Sequence, residues 1–192
     1  RPRNTLPEQR EEIRALRAGW LEKTDNPLMV FENYPITGRG WYLPAFPAQT
    51  IVDSINATKG ISRGEDIWLS ITRDFETKNI GFNHFQVYFT GRAWWGGKDL
   101  DGDALLAEYC RLFYGPAETE MRAFFDYCET HWQAMETDAD KVNAALDLFA
   151  TAQEKAGPDS VFAQRMGFID EFLEDLRSKA ELLSQKRGPV PK

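Results

Sequence analysis

Histidine and cysteine are scarce in this 192-residue chain, two of each, and that narrows its chemistry. His84 and His131 stand far apart, and no H-E-x-x-H, C-x-x-C or Cys/His zinc spacing occurs. No protein zinc site is expected on those grounds. The spacing G-x-S-x-G occurs once, at Gly60-Ile61-Ser62-Arg63-Gly64, but it leads from a helical segment into a strand-like one, the reverse of a nucleophile elbow, so it is not read as a serine nucleophile. His84 falls in a strongly apolar stretch and reads as a core histidine, whereas His131 reads as facing solvent or capping. Cys110 and Cys128 sit inside amphipathic helical patterns, which predicts buried free thiols. They belong to adjacent helices, so a bridge between them stays open.

Positive charge is also in deficit. Twenty-three Lys and Arg face thirty Asp and Glu, a formal net charge of −7. The basic residues are scattered among acidic ones. Nucleic-acid binding is driven by phosphate neutralisation and needs a basic face, so no nucleic-acid partner is expected, nor an anionic membrane surface. No apolar run approaches the roughly 20 residues that span a bilayer, and no signal-peptide pattern appears. The chain opens R-P-R without a methionine, which reads as a piece of something longer. Gly38-Arg39-Gly40 and Gly96-Gly97 lack the strand-to-helix context of a phosphate cradle, and no organic cofactor is called for.

Ordinary globular material fills the rest: 42% hydrophobic and 28% charged residues, in a chain long enough to bury about two thirds of its extended surface. The pattern changes near residue 80. Before it, helical and strand-like segments alternate. PEQREEIRALRAGWLEK at 7–23 predicts a helix with Ile13, Leu16, Trp20 and Leu21 on its apolar face. Leu28 to Phe31 is a run of four apolar residues, the mark of a parallel strand covered on both faces. A helix over 47–58 would turn Ile51, Val52 and Ile55 inward and stop at Gly60. DIWLSIT at 66–72 alternates and reads as a second strand. Helix, strand, helix, strand is α/β grammar, but two strands cannot close a barrel.

After residue 80 every segment reads as helix. IGFNHFQVYFTGRAWW at 80–95 is apolar almost all round and predicts a helix buried between layers. Its Arg92 must be paired, snorkelling or stacked, and we read Arg92 and Trp95 as structural anchors. DLDGD at 99–103 places glycine at the fourth position instead of the sixth that a calcium loop needs, so Asp101 or Asp103 reads as a helix cap. Later, Phe162, Met166, Ile169, Leu173, Leu176, Ala180 and Leu183 recur at alternating steps of four and three, an antiparallel packing seam. The fold expected is mostly α with a small α/β part, divided into 1–79 and 80–192, the latter a helical bundle.

The chemical candidates cluster after the first strand. Glu32 falls at its carboxyl end, where α/β barrels carry acid–base groups. Tyr34, Trp41 and Tyr42 supply flat apolar faces on which a sugar ring could stack. Asp74 would be a second carboxylate beyond the second strand, and glycoside hydrolysis commonly needs two. An isolated acid that only caps a strand end is the plain alternative.

The run NHFQVYFTGRAWWGGKDLDGDALLAEYCRLFYGPAETEMRAFFDYCETHW resembles the C-terminal part of the bacterial family catalogued as domain of unknown function 4838. Gly91-Arg92-Ala93-Trp94-Trp95, the acidic linker and ALLAEYCRLFYGPA carry the likeness, which extends in order and spacing to the strand, aromatic loop, helix and strand before it. The resemblance implies the last βα units of a (β/α)8 barrel of glycoside-hydrolase type, followed by helices. It also implies a glycan substrate or ligand, an extracellular or periplasmic setting, and the remainder of the parent barrel as a neighbour. Two other functions stay open: a non-catalytic carbohydrate-binding module, and a structural or interaction domain built on the helical seam.

Overall fold

The computed structural model describes residues 7–32, 43–67, 80–97 and 99–186, with the side chains of Pro7, Glu32, Ile67 and Lys186 outside that description. Seven α-helices and two strands occur among them: α1 (Pro7–Leu21), β1 (Leu28–Glu32), α2 (Ala48–Asn56), β2 (Ser62–Ile67), α3 (Ile80–Trp95), α4 (Gly102–Tyr114), α5 (Glu118–His131), α6 (Ala139–Ala156) and α7 (Val161–Lys186). The protein is therefore mostly helical, with one small two-stranded sheet. Two compact units divide it. The first holds α1, β1, α2, β2, α3 from Asn83 onward and the start of α4 through Leu105. The second holds residues 43–46, the start of α3 through Phe82, and the chain from Leu106.

In the first unit β1 and β2 pair in parallel, and the crossover between them contains α2. A parallel pair cannot be joined by a tight turn, so a crossover of this kind is required. Ala48, Ile51, Val52 and Ile55 of α2 are all buried, as their spacing predicts. The chain leaves α2 through a turn at Gly60, whose φ of 86° suits a residue without a side chain.

Several expectations for this unit are corrected. The β1 run is covered on one face only: Val30 is buried, while Met29 and Phe31 are 69% and 60% exposed. Alternation sends neighbouring side chains to opposite faces, and a single layer covers one of them. Strand β2 begins at Ser62 instead of Asp66, because pairing with β1 captures SRGEDI despite its poor strand propensity. Residues 68–72 of the expected strand lie outside the described residues. The apolar face of α1 is not buried: Leu16 and Trp20 are 63% and 60% exposed. An Arg10–Asp53 ion pair at 3.4 Å connects α1 to α2.

Helix α3 is largely buried, with Phe82, Phe85, Phe89 and Ala93 fully inside. His84 is exposed, not a core residue, because it falls on the one outward strip of the helix, which Arg92 also shares. A polar stripe the sequence reading overlooked, Asn83, Gln86 and Thr90, is buried instead. The Thr90 hydroxyl donates back to the Gln86 carbonyl at 2.7 Å.

The second unit is built on helix pairing. Helices α5 and α6 pack together, as do α6 and α7, and short connections make each pair antiparallel. Met166, Ile169, Leu173, Leu176 and Ala180 of the seam in α7 are buried. Phe46 lies at the centre of an aromatic cluster, with ring centroids 5.0 Å from Phe82, 4.9 Å from Phe125, 5.7 Å from Phe124 and 6.0 Å from Phe172. Its φ is 37°, although it is bulky and precedes Pro47. Arg165 of α7 closes α4: it donates to the carbonyls of Leu112 at 3.0 Å and Phe113 at 3.2 Å, with its guanidinium 5.1 Å from the Phe113 ring.

Gly81 is where the start of α3 meets α7. A Cβ there would lie 2.7 Å from the backbone carbonyl carbon of Phe168, whereas one at Gly91 would meet nothing within 4 Å. Gly81→Ala should therefore lower stability by about 1–3 kcal/mol through overpacking. Gly91→Ala, in the interior of the same helix, should raise it by about 0.5–1 kcal/mol. Urea unfolding of the two variants against the parent reads both signs.

Candidate functional site

The carboxyl edge of the sheet is where the sequence placed its candidates. The register pairs Phe31 with Asp66 and Glu32 with Ile67, so the last residues of both strands leave the sheet side by side. Glu32 ends β1, at the exit of a parallel strand, which is where α/β folds present chemical groups. Tyr34, Trp41, Tyr42 and Asp74 lie outside the described residues, as does the Glu32 side chain.

At the opposite end of the sheet, the first unit holds a cavity of about 480 Å³. The turn after α2 (Thr58–Gly60), the start of β2 (Ser62–Glu65) and the tip of α3 (Trp94, Trp95) line it, with Ile55 at one wall. Glu65 organises this end. One carboxylate oxygen accepts from the Thr58 hydroxyl at 2.7 Å, and the other accepts from the Trp94 indole N–H at 3.0 Å. Thr58 Oγ1 also lies 2.8 Å from the Ile55 carbonyl. A hydroxyl has a single hydrogen, so it serves these two acceptors in turn. Lys59 reaches the carbonyl of Gly97, and donates to Asn56 Oδ1 at 3.1 Å.

Trp94, not Trp95, is thus the anchoring indole of the Arg92–Trp95 motif. Trp95 is 91% exposed and Arg92 is also exposed. Sequence reasoning passed over Glu65 because an acid in the middle of a short segment carries no motif. The signal lies in three dimensions, in the turn that brings Thr58 against it.

The remaining titratable candidates are structural. Asp101 caps α4, accepting from the backbone N–H of Asp103 at 2.9 Å and of Ala104 at 3.3 Å. The His131 ring lies against Tyr127 at the end of α5, centroids 4.4 Å apart and the planes tilted by 55°. Cys110 and Cys128 are buried and free. Burial pushes both thiols well above their ordinary range. At Cys110 the nearby Asp126 adds to that rise and Arg122 opposes it. Among the described residues no group of three or more His, Cys, Asp or Glu gathers as a metal would require. No helix there is long and apolar enough to cross a membrane.

Comparison with protein-family models, curated proteins and solved structures finds no match.

Three outcomes follow. Glu65→Ala removes the acceptor of two hydrogen bonds and leaves the Trp94 N–H without its partner. It should cost about 1–3 kcal/mol, read by denaturant unfolding. The buried thiols should resist a thiol-reactive dye in the native protein and react on unfolding. Their raised values also set a pH dependence. Above roughly pH 8.5 the unfolded chain's thiols lose protons that the folded chain retains, so the stability is full below that pH and declines as pH rises. A melting temperature that climbs between pH 8 and pH 10 would contradict this.

Proposed function

We propose that this protein acts on or binds a glycan, as the last βα units of a glycoside-hydrolase-like barrel followed by helices. The observation that carries the reading is the parallel register: it brings Glu32 to the exit of β1, beside the exit of β2. The stretch after Glu32 supplies Tyr34, Trp41 and Tyr42 in sequence, the ring types that stack on sugars. The bare face of Met29 and Phe31 adds support, because parallel sheets are ordinarily covered on both sides. The remainder of a barrel is the layer that would cover it. Hydrolysis in the intact parent would pair Glu32 with a second carboxylate, Asp74 being the candidate in this chain, as acid and base, and would need no organic cofactor. An extracellular or periplasmic location fits such a substrate.

Binding and turnover are separable by mutation. On a glycan array the protein should retain one class of oligosaccharide. Trp41→Ala should weaken that retention by about tenfold or more, the loss of one stacking surface. Glu32→Gln should keep the affinity, and should abolish reducing-end release if the intact parent hydrolyses its ligand. Unchanged release in Glu32→Gln removes Glu32 from the chemistry, retention without any release by the intact parent assigns a binding module, and an array without any retained glycan overturns the reading altogether.

A further inference from the structure

The amino end of the sheet carries a feature the strand exit does not explain. Register runs Leu28 with Ser62 and then Met29 with Gly64, so Arg63 is an extra residue with no partner on β1. This is a β-bulge, a device that re-aims a side chain, and it is uncommon between parallel strands. The Ser62 hydroxyl holds the bulge in shape: its oxygen accepts from the Gly64 N–H at 3.1 Å and lies 2.7 Å from the Gly64 carbonyl. Arg63 lines the 480 Å³ cavity, and among the described residues no side chain pairs with its guanidinium.

The cavity's charge runs against that of the chain. Lys59 and Arg63 line it against one acid, Glu65, in a protein whose net charge is −7. Both Glu65 oxygens are already engaged by Thr58 and Trp94. Beside this unanswered cation stands Trp95, the most exposed of the large apolar side chains among the described residues, at 91%. A bare indole offers a flat apolar face on which a ring can stack, and a free guanidinium offers the fork that a carboxylate accepts bidentately. A simple anion would use only Arg63, and a neutral sugar only Trp95. A ring that carries a carboxylate uses both.

We propose that this cavity is a second saccharide subsite, selective for uronate rings, with the sugar's C–H face on Trp95 and its carboxylate on Arg63. The proposal rests on the reading that the protein handles glycans, and it concerns the opposite end of the sheet from Glu32.

Calorimetric titration with oligogalacturonate, oligoglucuronate and their neutral counterparts tests it. The protein should bind a uronate about tenfold or more tightly than the matching neutral sugar. Arg63→Gln should bring the uronate down to the neutral affinity, and Trp95→Ala should weaken the uronate by a similar factor. Both side chains are exposed, so unchanged circular dichroism and melting temperature exclude unfolding as the cause. Equal affinity for charged and neutral sugars, lost in Trp41→Ala but untouched by Arg63→Gln or Trp95→Ala, overturns the uronate subsite and leaves the strand-exit reading standing. Absence of binding to any of these glycans, together with an empty array, overturns both.

Discussion

A phenylalanine held in a left-handed backbone organises the second unit. Phe46 has a φ of 37° and stands before Pro47, a place where backbone sterics favour extended conformations. Holding a bulky residue there costs on the order of 1–3 kcal/mol. The side chain is fully buried, and four phenylalanine rings surround it. Burying a phenylalanine contributes about 1.5–3 kcal/mol and each aromatic pair somewhat more, which offsets the strain. Because Phe82, Phe124, Phe125 and Phe172 come from three different helices, one strained residue sets where the start of α3, α5 and α7 converge. The close approach of Gly81 to the backbone at Phe168 belongs to the same convergence.

The helices were legible in the sequence for a physical reason. A seam such as Met166, Ile169, Leu173, Leu176 and Ala180 repeats the helical period often enough that no other structure buries those side chains together. The same holds for Ile51, Val52 and Ile55 in α2, and for Asp101 as the cap of α4. The start of β2 was missed because its partner, not its composition, decides where pairing begins: SRGEDI pairs although DIWLSIT has the better β-formers. The exposure of Leu16, Trp20, Met29 and Phe31 was beyond reach for a related reason. Periodicity tells which side chains share a face, not whether anything covers that face. His84 was misjudged by average hydropathy, which hid an outward strip on an otherwise buried helix.

The candidate chemistry divides along the same line. Glu32 was readable because a strand ending in an acid is a local pattern. The opposite end of the sheet was not. Glu65, Thr58 and Trp94 belong to three separate stretches and meet only because the α2 crossover returns the chain to β1. Register alone reveals Arg63 as the supernumerary residue of a bulge.

Arg165 gives two distant stretches a common fate. Its guanidinium occupies the carbonyls of Leu112 and Phe113 and lies against the Phe113 ring. The final turn of α4 therefore owes its closed ends to a residue more than fifty positions away. When the beginning of α7 lifts, those carbonyls lose their donor and the ring loses its cover at the same moment. The two segments then form a single cooperative opening unit. Local fluctuation in this half of the molecule is shared between helix ends that sequence distance would treat as strangers.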